Sequence, residues 1–198
     1  MKTLVKSLAG ALGAVMLFAA STQAATVSVS YDEPLVDVGV PTADSTSGLV
    51  EQGVSGSIGG QRRSPWETTA NPGYTYTSVY GNSSATFLLG SLMNSLTFMW
   101  GSVDTYNTME FYNNGNKVDT VVGQDAINEG ATPGLEFIIA TILTDAYFDE
   151  VRFISDSNSF EFANVEISAV PLPAALPLYG AGVAILGFLG WRKRRAAA

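Results

Sequence analysis

The sequence predicts an all-β body, a set of short antiparallel strands packed as a sandwich or closed as a barrel. Three observations lead there. Apolar residues recur with period two, as in Leu96, Phe98 and Trp100, and no internal stretch has the 3.6 period of an amphipathic helix. Gly, Asn, Asp and Ser separate these runs at short intervals, as turns between strands require. The stretch from Ala25 to Ala169 is long enough to bury a core without disulfides, which the absence of Cys excludes.

Taken in order, the chain starts with residues 1–24, which read as a secretory signal peptide. Lys2 and Lys6 supply the charged start, Leu8 to Ala20 the apolar stretch, and Thr22 and Ala24 the small side chains that signal peptidase needs before its cut after Ala24. The apolar stretch is short for a permanent span of about 20 residues. Export follows, and it removes ATP-dependent cytoplasmic chemistry.

Inside the body, Thr26 to Tyr31 places Val27 and Val29 on one face, and Tyr74 to Tyr80 alternates aromatic residues with Thr and Ser. Val151 and Phe153, and Phe160 and Phe162, form similar pairs. The Gly-rich run Gly53 to Gly60 lacks the Lys-Ser/Thr ending of a phosphate-binding loop and reads as a flexible connection. Asn82-Ser83-Ser84 fits a glycosylation acceptor, a triplet common by chance.

One hairpin carries a predicted register. Asn114-Gly115 suits a two-residue turn in which both residues take positive φ. Counting outward pairs Tyr112 with Lys117, Phe111 with Val118, Glu110 with Asp119 and Met109 with Thr120. Met109, Phe111 and Val118 then face the core, while Glu110 and Asp119 meet outside. Like charges opposite one another are unfavourable, so this pair is either solvated and screened or part of a Ca2+ site completed by other oxygen ligands. Near the end of the body, Phe160 and Phe162 lie on one parity and Val165 and Ile167 on the other. A bulge near Ala163-Asn164 would bring both sets to the core.

The last 29 residues, 170–198, have three parts: Val170-Pro171-Leu172-Pro173-Ala174, an apolar stretch at about 175–191, and Arg192-Lys193-Arg194-Arg195. The prolines keep the chain extended and open to an enzyme. The apolar stretch suits a transmembrane helix at the short end of the roughly 17 to 25 residues needed, and the basic cluster stays cytoplasmic, with Trp191 at an interface. This order resembles the PEP-CTERM sorting signal, in its VPLPA variant. The resemblance implies recognition by an exosortase, a membrane-embedded transpeptidase-like enzyme of Gram-negative bacteria that make exopolysaccharide, with cleavage near the prolines. Leu172 stands where the founding motif has Glu. As with a GPI signal, the hydrophobic tail would be an address removed during processing. The expected route is an inner-membrane intermediate, then the cell surface or the extracellular space.

The runs LTFMWGSVDTYNTMEFYNNG from Leu96 and FEFANVEI from Phe160 resemble a subgroup of exosortase-dependent surface proteins. That likeness implies a jelly-roll-like β-sandwich similar to carbohydrate-binding modules.

Charge sharpens the division. Of ten cations and eighteen acids, the body holds four cations and every acid, a net of −14, while the two ends carry +2 and +4. An acidic body argues against nucleic acid as partner. With neither His nor Cys, imidazole bases, thiolate nucleophiles and the usual zinc or haem ligand sets are excluded. A hydrolase would have to use paired carboxylates, with Glu136, Asp149, Glu150 and Glu161 as candidates; a pocket holding two facing carboxylates about 5 to 9.5 Å apart would favour it. The body otherwise reads as non-catalytic, with no cofactor beyond a possible Ca2+. Extracellular polysaccharide is the candidate partner, apart from signal peptidase, exosortase and a transient membrane. Arg62 and Arg63 could contact an acidic glycan or merely pair with surface acids. Trp66, Tyr74 and Tyr76 could form a stacking platform for a sugar or cap the edge of the sandwich, and Trp100 is assigned to the core.

Overall fold

The computed structural model describes residues 25–32, 37–135 and 137–169. The signal peptide with Ala24, the sorting segment from Val170 through Arg195, its apolar span and Glu136 lie outside the described residues. No helix among the described residues is long and apolar enough to cross a membrane.

Among the described residues nine strands form: β1 (Thr26–Ser30), β2 (Ser45–Ser47), β3 (Val50–Val54), β4 (Tyr76–Val79), β5 (Ser83–Gly101), β6 (Asn107–Asn113), β7 (Asn116–Val122), β8 (Phe137–Ser155) and β9 (Phe160–Ser168). A six-residue helix, α1 (Gly123–Asn128), follows β7. Sequence periodicity gave no sign of it, because six residues are too few to display a 3.6 period.

All strand pairings are antiparallel. The two 19-residue strands β5 and β8 organise them. The start of β5 pairs with the end of β8, and the end of β5 with the start of β8, with register shifts around Met93. Beyond those shifts the neighbours change. The start of β5 carries β2 and its end carries β9; the start of β8 carries β1 and its end carries β6. One layer therefore runs β3-β4-β9-β5-β8-β1 and the other β2-β5-β8-β6-β7. Long strands that bend from one layer into the next make the corners of a sandwich.

The core between the layers is aromatic. Phe153 from the end of β8 stacks on Phe162 of β9, ring centroids 4.1 Å apart, and meets Phe98 edge-on at 5.6 Å. Trp100 stacks on Phe160 at 4.9 Å. Leu96, Phe98, Trp100, Val151, Phe153, Phe160 and Phe162 are all fully buried, on the parity that the alternation predicts. Each such side chain contributes roughly 1.5 to 3 kcal/mol through burial.

The Asn114-Gly115 turn forms with φ of 49° and 74°. The register beyond it differs from the expected one. Tyr112 pairs with Lys117, but Phe111 then pairs with Asp119, Glu110 with Thr120 and Met109 with Val121. Val118 is the extra residue of a bulge. An unbroken ladder would have turned Val121 away from Met109 and Phe111; the bulge lets both Val118 and Val121 pack on the core. At the other predicted bulge, Asn164 takes φ 48° between the pairs Thr97–Glu166 and Met99–Ala163. Val165 and Ile167 then pack against the core.

β5 is buried on its second face as well. Met99 packs there with Trp66, Tyr76 and Ala163, because the segment from Ser55 to Tyr74 crosses outside the sheet.

Candidate functional site

The segment that covers β5 also builds a cavity, and it does so around two arginines and a buried carboxylate. Arg62 is drawn inward. Its Nη1 donates to the carbonyls of Gly56 at 2.6 Å and Ser55 at 3.2 Å, and to the Tyr76 hydroxyl at 2.6 Å. Its Nε lies 2.9 Å from Glu51 Oε2, an ion pair without hydrogen-bond geometry. Burial works against the Arg62 charge, but the Tyr76 hydroxyl and the Glu51 carboxylate outweigh it and its pKa is raised. Tyr80 donates to the same carboxylate at 2.7 Å; burial and then Glu51 push its pKa up to about 12. The Gly53 to Gly60 connection is thus wrapped on a guanidinium rather than free.

Arg63 points the other way. Its side chain reaches Glu67 Oε2 at 3.0 Å and the Gly134 carbonyl at 2.9 Å, while its backbone N–H donates to Glu161 Oε1 at 2.8 Å. Glu161 has 1% of its surface exposed. The Ser102 hydroxyl donates to its Oε2 at 3.0 Å and the Ser159 hydroxyl to its Oε1. Burial raises its pKa, and these neutral donors pull only partly the other way.

A cavity of about 380 Å3 opens over this carboxylate, lined by Arg63, Glu67, Ser102, Asp104, Asn158 and the backbone around Gly60. Burial also raises the Asp104 pKa, opposed by the Tyr106 hydroxyl, which donates to its Oδ2 at 2.7 Å. Chemically the pocket offers hydroxyl donors, two arginines and carboxyl groups at its wall, with no aromatic residue among the described residues that line it.

Several expected site residues therefore change role. Trp66 has none of its surface exposed and Tyr76 only 1%, so neither ring can stack on a sugar. The Trp66 indole N–H is bound by the Thr75 carbonyl at 3.1 Å, and its ring meets half-buried Tyr74 edge-on at 5.2 Å. These aromatics shield Met99 and Ala163 from water. Both arginines border the cavity, but their side chains are divided, Arg62 held by Glu51 and Tyr76 and Arg63 by Glu67 and the Gly134 carbonyl. The hydrolase candidates are divided too. Asp149 and Glu150 line a different cavity at the corner of the sandwich, where Asp149 accepts from the Asn114 N–H at 3.1 Å and Arg152 Nε donates to Glu150 Oε1 at 2.5 Å.

The bulge separates Glu110 from Asp119. Glu110 takes Lys117 at 3.0 Å and the Tyr112 hydroxyl at 2.6 Å; these partners outweigh burial and lower its pKa. Asp119 shares the Phe111 side of the ladder, so the two carboxylates cannot hold one ion as cross-strand neighbours. Among the described residues, no group of three or more His, Cys, Asp or Glu is placed to hold a metal ion.

In the sequence Glu161 stands as one of four carboxylate candidates, while no motif there singles out Ser102, Ser159, Glu67 or Asp104. A usable signal existed in the spacing Ser159-x-Glu161, which puts hydroxyl and carboxylate on one side of a strand. No family model, curated protein or solved structure matches the chain.

Proposed function

We propose that this chain is a non-catalytic exported surface or extracellular-matrix protein, cut by signal peptidase, sorted by an exosortase and associated with the exopolysaccharide or biofilm of a Gram-negative bacterium. The observation that carries the reading is the order at the C-terminus: Val170-Pro171-Leu172-Pro173-Ala174, an apolar stretch, then Arg192 to Arg195. The body supports it in two ways. Two antiparallel layers joined through long bent strands suit a jelly-roll-like sandwich, and the aromatic and basic residues that could have formed a deep glycan site are committed to packing and ion pairs. Glycan association would then rest on shallow polar contacts, and the net charge of the body disfavours anionic polysaccharides.

Intact mass of the surface or released protein tests sorting. The reading expects loss of the segment that contains Trp191, and a mature species that retains it would overturn the exosortase step. Affinity electrophoresis against the host's own exopolysaccharide tests the partner: retardation supports binding, and its absence leaves a structural role.

A second reading, a polysaccharide-active hydrolase with paired carboxylates, is favoured by one observation, the buried Glu161 beside Asp104 and Glu67 at one cavity. Against it, both Glu161 oxygens already accept hydrogen bonds from the loop and the sheet. Hydrolysis of host polysaccharide that disappears in Glu161→Gln while the fold persists would establish it.

A further inference from the structure

The cavity over Glu161 has a finished floor and an open wall. On the floor, Glu161 takes the Ser102 hydroxyl on one oxygen and the Ser159 hydroxyl and Arg63 N–H on the other. Ser102 holds φ 35°, and a Cβ at Gly101 would lie 3.0 Å from Glu161 Cβ and 3.2 Å from Pro65 Cβ, so the end of β5 is shaped around this side chain. On the wall, the Tyr106 hydroxyl has one proton and two acceptors at 2.7 Å, Asp104 Oδ2 and the Asn158 carbonyl. Asp104 Oδ1 accepts from no described residue. Asn158 is oriented by its Oδ1, which accepts the Gly81 N–H at 2.9 Å, and its Nδ2 donates to no described residue. The Ser57 hydroxyl accepts the Ser64 N–H at 3.0 Å and still has its own proton to give. All three residues line the cavity, together with the exposed Gln61.

These open groups are mixed in kind: an acceptor at Asp104, donors at Asn158 and Ser57, and both in the Gln61 amide. A hydroxyl is donor and acceptor at once, so a polyhydroxylated ligand suits such a wall. Charge narrows the class. The two guanidiniums at the cavity already have acids, Arg62 with Glu51 at 2.9 Å and Arg63 with Glu67 at 3.0 Å, whereas Asp104 meets no cation among the described residues. An acidic sugar would bring a second anion towards Asp104, and like charges brought together are costly. With no aromatic ring among the described lining residues, the wall holds hydroxyls rather than the apolar face of a ring. The cavity of about 380 Å3 lies near the small end of the roughly 300 to 1,000 Å3 of small-molecule sites, which suits a short sugar segment rather than a long strand.

We propose that this cavity takes an uncharged sugar unit of the polysaccharide and holds it by its hydroxyls, with Asp104 as the main acceptor and Asn158, Gln61 and Ser57 completing the set. This rests on the exopolysaccharide reading and gives it a site and a class of sugar. Glu161 is a positioning residue here. Its two occupied oxygens fix Ser102, Ser159 and the backbone at Arg63 before any ligand arrives, so that little ordering is left to be done on binding. Hydroxyl contacts without stacking bind a single ring weakly, on the order of 1 mM. A polymer that repeats the unit, met by many copies of the protein at a surface, converts weak contacts into firm retention. Such a site suits anchoring in a matrix rather than capture of a free sugar.

The test uses the protein as exported by its host and the host's own exopolysaccharide, both intact and as mild-acid fragments separated by anion exchange into a neutral and an acidic pool. In affinity electrophoresis the neutral pool should reverse the retardation caused by the intact polymer, and the acidic pool at equal sugar concentration should not. Asp104→Asn removes the charged acceptor and should weaken retardation about tenfold, as one lost charge-assisted hydrogen bond implies. Gly59→Leu fills space at the cavity instead. A Cβ there meets nothing within 4 Å, so this variant should fold and weaken retardation at least as much, even if Asp104→Asn folds poorly. Circular dichroism on the same samples checks the fold. Retardation that folded Gly59→Leu retains in full, or that the acidic pool reverses as well as the neutral pool does, overturns this site and leaves glycan association elsewhere on the body. A wild type that the intact polymer does not retard overturns the site and the glycan reading together.

Discussion

The indole N–H of Trp100 donates to Oδ1 of Asn107 at 3.2 Å, deep between the two layers of the sandwich. Asn107 is itself fully buried, accepts the Asp104 N–H at 3.2 Å, and donates to the Ser155 hydroxyl at 3.2 Å and the Ser159 carbonyl at 3.3 Å. One amide thus joins β5, β6, the end of β8 and the approach to Glu161. Asn107→Leu strands the Trp100 and Asp104 donors. It should cost about 2 to 4 kcal/mol, read as a lower urea midpoint with an unchanged m-value.

Glu161 predicts a dependence on pH. Its folded pKa is raised, so the folded state binds the proton more tightly than the unfolded state. The stability from this group is complete below the unfolded value of about 4.3 and is lost as pH rises through the folded value. Glu161→Gln should remove that loss, giving a flatter stability profile between weakly acid and neutral pH in urea titrations at several pH values. Glu161→Ala removes the titration too, but it leaves the Arg63 N–H and the Ser102 hydroxyl without their acceptor and should cost about 2 to 4 kcal/mol at weakly acid pH, less as pH rises.

Arg62 predicts a local effect. Arg62→Ala deprives the Ser55 and Gly56 carbonyls of their charged donor and leaves Glu51 with only the Tyr80 hydroxyl. Hydrogen exchange should accelerate by tenfold or more over residues 55–62, with little change in β6 and β8. The Tyr80 ionisation, followed by ultraviolet absorbance against a Tyr80→Phe control, should move further above its wild-type position near 12, because Arg62 opposes the rise.

Trp66 separates packing from recognition. Trp66→Ala opens a space over Met99 and Ala163 and should cost about 3 to 5 kcal/mol. Any loss of polysaccharide retardation should follow the unfolded fraction, measured by circular dichroism on the same samples. A folded variant that loses retardation would restore Trp66 as a contact residue.

Much of the β-sheet was legible because its cause is local. Alternation in Leu96-Phe98-Trp100 and in Phe160-Phe162 reflects the strand pleat, and Asn114-Gly115 is required by positive φ, so neither depends on distant neighbours. The bulge at Asn164 was legible from a break in parity. The bulge at Val118 was not: it exists because β6 is also laddered to β8, through Met109–Phe153 and Phe111–Val151, and this leaves β7 to adjust so that Val121 is buried. The Glu110–Asp119 pair disappears for that reason alone.

The site was less legible than the strands. Glu161 was one of four candidate carboxylates with nothing to rank it above the others, and its neighbours Ser102, Asp104 and Glu67 come from segments far apart in sequence. Trp66 and Tyr76 were visible as aromatic residues, but whether an aromatic ring faces water or a second apolar face depends on what the chain lays across the sheet.

By itself the sequence determined the strand-forming runs, the Asn-Gly turn, the acidic body and the absence of imidazole and thiol chemistry, since each follows from residue type and near-neighbour spacing. Tertiary structure decided which faces of β5 are buried, which carboxylate meets which cation, and that Asp119 pairs with Phe111 rather than Glu110. Those are long-range matters, in which a half-buried charge takes its partner from whatever strand the packing brings beside it.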